Sequence, residues 1–164
     1  MNDSSADTPS HSPVDIAIIG AGAAGLFAAI WAARESPTLK IVAIDGARTL
    51  GAKILVAGGG RCNVTHHAVD ERDYSGGSPQ LIKRILRRFP VESTIDFFAE
   101  CGVELKREET GKLFPTTDKA RSVLDALVSA AHSAGVKILH PQRVDSVVQV
   151  DGGFQIQFGA EKML

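Results

Sequence analysis

The chain has little of what marks specialised scaffolds. Only two cysteines, Cys62 and Cys101, occur in its 164 residues. They form no CxxC pair and no metal-ligand spacing, which argues against a disulfide scaffold or a zinc module and favours a reducing, cytoplasmic setting. Aromatic residues make up 5%, with one tryptophan and one tyrosine, and their placement gives no interleaved stacking platform of the kind that binds single-stranded nucleic acid. Neither sign of charge dominates: 18 basic residues against 19 acidic leave a formal net charge of -1. No electrostatically driven nucleic-acid or membrane partner is therefore expected. No apolar stretch approaches the roughly 18 residues of a membrane helix. Residues Met1–Pro13 carry Asp3 and Asp7 and no apolar core; they read as a disordered polar tail and not as a signal peptide.

What remains is ordinary globular material, 44% hydrophobic and 23% charged, enough for one core. Val14–Ile19 is short, β-branched and almost continuously apolar, the pattern of a strand buried on both faces of a parallel sheet. After Gly20–Gly25, residues Ala23–Glu35 are helix formers with Leu26, Phe27, Ile30 and Ala33 on one face, and Pro37 stops them. Leu39–Asp45 is a second buried strand, completing a β-α-β unit. Residues 46–77 are rich in glycine and polar residues around one apolar stretch, Ile54–Ala57, and a segment of that kind is usually functional or disordered. Helices are expected over Pro79–Phe89, Pro90–Cys101 and, capped by Asp118, up to Ser133, with Gly135 closing the last. Short strands are expected at Val103–Lys106, Lys112–Phe114 and Val136–Leu139, and a hairpin at Val144–Val150 and Phe154–Phe158 around Asp151-Gly152-Gly153. No closing helix or further buried strand follows. One side of the sheet is then left uncovered, so residues 14–164 are expected to form the N-terminal part of a longer design.

Two motifs carry chemistry. Gly20-Ala21-Gly22-Ala23-Ala24-Gly25 is a GxGxxG stretch placed between a strand and a helix, with Asp45 ending the next strand twenty residues past Gly25. In that setting Gly20 allows the tight turn, Gly22 lets the backbone approach a pyrophosphate, and Gly25 lets helix and strand pack closely. The helix start offers free N–H groups and a positive dipole end to phosphates. Asp45 accepts from ribose hydroxyls and repels a 2′-phosphate. The second motif is Lys53-Ile54-Leu55-Val56-Ala57-Gly58-Gly59-Gly60-Arg61-Cys62-Asn63. Its glycines expose a run of backbone N–H groups able to hold an electron-rich group, flanked by the cations Lys53 and Arg61 and the amide of Asn63. The bland alternatives are a structural glycine turn and a flexible surface loop.

Taken in order, the GAGAAG turn, the acid-ended second strand, and the KILVAGGGRCNVT, FFAECGVELK and TGKLFPTTDKA stretches resemble a family of bacterial FAD-dependent oxidoreductases, BaiN/YhiN-like or aminoacetone-oxidase-like flavoproteins. The likeness covers residues 14–150. It implies an α/β fold, a Rossmann-like FAD-binding domain of the glutathione-reductase type with a central parallel sheet and a β-hairpin extension. A substrate domain and a C-terminal half would lie outside this chain. On that resemblance Gly20, Gly22, Ala24 and Gly25 would line the FAD pyrophosphate, and Asp45, where relatives usually carry Glu, would hold the adenosine ribose. Lys53, Gly59, Gly60, Arg61, Cys62 and Asn63 would wrap the flavin half, and Val144 would present backbone to the adenine. NAD(P)H is the candidate electron donor, and the substrate is a small organic molecule of unspecified kind.

Other features read more plainly. Lys83, Arg84, Arg87 and Arg88 form a basic face opposite Leu81, Ile82, Ile85 and Leu86, a solvated face or, as the alternative, a patch for RNA or an acidic partner. His66 and His67 are adjacent, so their rings diverge, and no acid or cysteine stands at ligand spacing; no metal is expected. Cys62 reads as a small buried residue beside the cofactor loop. No serine sits in a GxSxG elbow. The oxidoreductase reading is expected of the lineage, and for the chain as given the expectation is a truncated, catalytically silent nucleotide-binding fragment; the competing functions are an NAD-dependent dehydrogenase and a tRNA-modifying flavoprotein.

Overall fold

A computed structural model describes residues 13–158. Almost all of the expected Met1–Pro13 tail, and everything after Phe158, lies outside the described residues.

Four-residue apolar runs build the centre. β1 (Ile16–Ile19) and β2 (Ile41–Ile44) pair in parallel from Ile16 beside Ile41 to Ile19 beside Ile44. A third parallel strand, β6 (Lys137–Leu139), joins on the far edge of β2, giving the order β1-β2-β6. β2 is buried at every position, as its unbroken Ile-Val-Ala-Ile run requires of a strand flanked on both sides. The connection from β1 to β2 is α1 (Ala23–Glu35), whose Leu26, Ala29, Ile30 and Ala33 are buried. They meet the apolar face of α5 (Ala120–Ser133), which buries Val123, Leu124, Leu127 and Ala131. Gly135, at φ +83, ends that helix one residue after its C-cap, the left-handed stop that glycine allows.

Between β2 and α5 the chain makes α2 (Ala52–Val56), a 3-10 turn at Ala57–Gly60, β3 (Thr65–His66), a 3-10 turn at Glu71–Asp73, α3 (Pro79–Arg88), α4 (Val91–Glu100), β4 (Leu105–Arg107) and β5 (Lys112–Pro115). β3, β5 and β4 form a small antiparallel sheet with β5 in the middle. α4 is tied to α1 by an aromatic cluster. Phe27 packs edge-on against Phe97 and Phe89, Trp31 packs edge-on against Phe89, and Phe98 lies against Phe97. Five of the chain's nine Phe, Tyr and Trp residues thus sit at one joint. β7 (Val144–Val150) and β8 (Gly153–Phe158) form the expected hairpin, with Val147, Val148, Val150 and Phe154 exposed. No helix among the described residues is long and apolar enough to cross a membrane.

One element is added and one expectation changes. Of the apolar stretch Ile54–Ala57, to which the sequence assigns no element, residues up to Val56 belong to the short helix α2 and Ala57 opens the 3-10 turn. α2 is held by tertiary contact, since Gly51 (φ +64) brings its backbone against Leu124 of α5, where a Cβ would overlap the leucine side chain. Asp118 does not cap α5. It sits at φ +53, Lys119 occupies the N-cap position with no side-chain cap, and the Asp118 carboxylate pairs with Lys106 and Arg61. The ion pairs hold the aspartate in a conformation that short polar side chains tolerate better than others.

Candidate functional site

The site begins where β1 ends. Gly20 (φ +99) turns the chain, its N–H donating to the Ile44 carbonyl at 2.7 Å and fastening the turn to β2. Ala21 is completely buried, and Gly22 is the N-cap of α1 in extended backbone with no side-chain cap. No acidic residue occupies the first turn of α1. The free N–H groups of that turn and the positive end of the helix dipole therefore meet no negative side chain within it. A Cβ built on Gly20 or Gly22 would meet nothing within 4 Å, whereas one on Gly25 would overlap the Gly20 carbonyl oxygen. The first two glycines leave room beside the backbone; the third lets the helix start close onto the strand end. Ala24 is exposed on the first turn.

Asp45 connects this turn to the next strand. One carboxylate oxygen accepts the Ala21 N–H at 2.8 Å, and the other accepts the Ala47 N–H at 2.8 Å. The shorter arm of aspartate thus braces the glycine turn and still leaves acceptor capacity on both oxygens. Across from it, the Gln142 N–H donates to the Asp45 carbonyl at 2.7 Å. The result is a cleft of about 360 Å³ lined by Ile19, Gly20, Ile44, Asp45, Gly46, Ala47, Gln142, Arg143 and Val144. Of the residues expected from the sequence, it brings together Gly20, Asp45 and Val144. Gln142, Arg143 and Gly46 are additions. The first two carry no motif of their own; the signal for them was only their place before β7.

Lys53 through Asn63 do not line that cleft. Lys53 is exposed on α2, and Gly58, Gly59 and Gly60 are all left-handed, at φ +56, +70 and +88. Three successive glycines make such a turn affordable. At Gly58 a Cβ would lie 2.7 Å from the Phe114 ring and 2.9 Å from the Asn63 nitrogen, while at Gly59 it would meet open space. The turn therefore packs on one side and is open on the other. Arg61 lies 4.1 Å over the Phe114 ring, pairs with Glu108, and has Asp118 at 3.6 Å. Its guanidinium charge is matched from within the chain, so it fixes the glycine turn onto β5. The Glu108 hydrogen bond raises its pKa further above the ordinary arginine value. Cys62 is 6% exposed at φ +63, and burial pushes its thiol pKa up; it is a protonated packing residue at neutral pH. Asn63 is exposed. Among the described residues no group of three or more His, Cys, Asp or Glu side chains is placed to hold a metal ion.

The chain is 35% identical over 147 residues to a 3-dehydro-bile acid delta(4,6)-reductase of Clostridium scindens, covering 90% of this chain and 36% of that protein. It is 33% identical over 155 residues to a ribosomal RNA dihydrouridine synthase of Escherichia coli, covering 92% and 38%. The chain thus spans little more than a third of the length of these curated relatives. In fold it resembles the FrdA subunit of E. coli quinol fumarate reductase, with a TM-score of 0.59 at 20% identity, covering 87% of this chain and 28% of that one. Residues 14–164 match the HI0933-like protein Rossmann domain, and the chain belongs to that family.

Proposed function

We propose that this chain is the N-terminal part of the FAD-binding domain of an oxidoreductase in the BaiN/YhiN-like group. The observation that carries the reading is the cleft joining Gly20, Asp45 and Val144; Gly22, Ala24 and Gly25 do not line it, and Gly20 stands two residues before Gly22, the N-cap of α1, which has no side-chain cap. The residues present fit a dinucleotide. Open space beside Gly20 and Gly22 admits a pyrophosphate to the backbone, and Asp45 has free acceptor sites for a ribose. Gly20, Gly22, Ala24 and Gly25 hold the phosphates; Asp45 and Val144 hold the adenosine. Lys53, Gly59, Gly60 and Asn63 contribute to the flavin half through the open face of the left-handed turn, while Arg61 and Cys62 contribute from behind it, Arg61 as the clip on Glu108 and Phe114 and buried Cys62 through its N–H bond to the Ala57 carbonyl. When bound, the flavin supplies two-electron hydride chemistry. The chain's own residues bind and orient it. NAD(P)H is the proposed electron donor and a small organic molecule the proposed substrate.

The test is titration of the purified protein with FAD, reading flavin fluorescence and the visible spectrum, against NAD as competitor. A bound flavin spectrum that NAD does not displace supports the reading. Absence of flavin binding at saturating FAD ends it.

One observation favours a second substrate class. Arg84, Arg87 and Arg88 on α3 have no ion-pair partner among the described residues, and a relative is named for action on ribosomal RNA. RNA as substrate would show as salt-dependent retention of ribosomal RNA on the protein in filter binding.

A further inference from the structure

One wall of the adenosine cleft holds a cation that the dinucleotide fingerprint does not predict. Arg143 stands immediately before β7, and its segment is drawn against the end of β2 by the Gln142 hydrogen bond to Asp45. Gly46 makes the approach possible: a Cβ there would lie 2.8 Å from the Arg143 Cα and 3.0 Å from its Cβ. The stem of Arg143 therefore crosses the backbone of Gly46 at the cleft margin. The side chain as a whole is 85% exposed, and its one ion pair among the described residues, with Asp145, is 4.0 Å long and exposed. A pair of that kind contributes little, so the guanidinium is free to take another partner at small cost.

We propose that Arg143 is a specificity-determining residue for the adenosine end of the cofactor, its guanidinium plane closing over the face of the adenine ring. The chemistry suits the group: guanidinium is planar, delocalised and weakly hydrated, and it stacks on aromatic faces where an ammonium only attracts them. Asp45, which lines the same cleft, takes the ribose hydroxyls, and Val144 takes the edge of the base. The purine is then fixed by an acid, a backbone edge and a cationic lid, three contacts of different kinds. This inference rests on the proposed FAD reading.

Three ligands separate the possibilities: FAD, ADP, which has the adenosine without the flavin, and FMN, which has the flavin without the adenosine. Arg143→Ala is expected to weaken ADP and FAD binding about fivefold to tenfold while leaving FMN affinity and the thermal midpoint unchanged. Arg143→Lys, which keeps the charge and loses the plane, is expected not to restore ADP binding. Unchanged ADP affinity in Arg143→Ala overturns the proposal. So does full recovery in Arg143→Lys, which reduces the role to charge, and so does an equal loss of FMN. Wild-type protein that binds neither FAD nor ADP removes the cofactor reading itself. Wild-type protein that binds both, beside an indifferent Arg143→Ala, removes only the lid.

Discussion

Gly25 and Gly58 show how much single hydrogens matter in this chain. At each, a methyl group would run into backbone: the Gly20 carbonyl in one case, the Asn63 nitrogen in the other. Gly25→Ala is expected to push α1 off the strand end and abolish FAD binding, checked by flavin titration alongside circular dichroism. Gly58→Ala adds a left-handed alanine and a clash with the Phe114 ring, together costing about 1–3 kcal/mol in urea unfolding. Asp118 gives a pH-dependent counterpart. The hydrogen bond from Lys106, with further help from Arg61, holds its carboxyl below the ordinary value of 3.8. A depressed carboxylate stabilises the fold above its unfolded value and loses that contribution as pH falls through the folded one. Asp118→Asn should therefore lower the thermal midpoint at neutral pH and flatten its decline below about pH 4; a decline as steep as that of wild type would show that this ion pair adds nothing.

Among the elements, α1 and β2 were legible because every local signal agreed: a β-branched run, three spaced glycines, helix formers, a stopping proline. The helix found, Ala23–Glu35, is the helix expected. The short α2 was not legible. Five residues span little more than one 3.6-residue turn, too few for a periodicity to show, and what holds them is the contact of Gly51 with Leu124 of α5, more than seventy positions away. The same holds within the site. Gly20 and Asp45 announce themselves by spacing, but the pairing of Arg61 with Glu108 spans 47 positions and leaves no trace in either neighbourhood. The sequence shows Arg61 only as a cation beside the glycine turn; that Glu108 and Asp118 stand against it is visible in the fold alone. The α1–α4 joint is testable in its own right. Phe97, 2% exposed and in contact with three aromatic or cationic neighbours, should cost about 3–5 kcal/mol on replacement by alanine, measured by chemical denaturation.

Viewed entire, the chain sets a parallel trio of strands beside a small antiparallel sheet and an exposed hairpin, and the proposed cofactor site lies where the strand ends meet the first helix. Parallel strands crossed by a helix place free strand ends and a free helix start at one edge, which is why this arrangement recurs at nucleotide sites. Trp31, already described as part of the aromatic joint, has an optical consequence. It is the sole indole in the chain, and it rides on the same helix whose first turn would face the cofactor, about 12 Å along the axis from Ala23. Flavins absorb where indole emits, so docking of FAD should extinguish the tryptophan's emission by energy transfer, and ADP should not. The protein carries its own lamp beside the proposed dock, and a fluorimeter can follow the flavin's arrival and departure without any label.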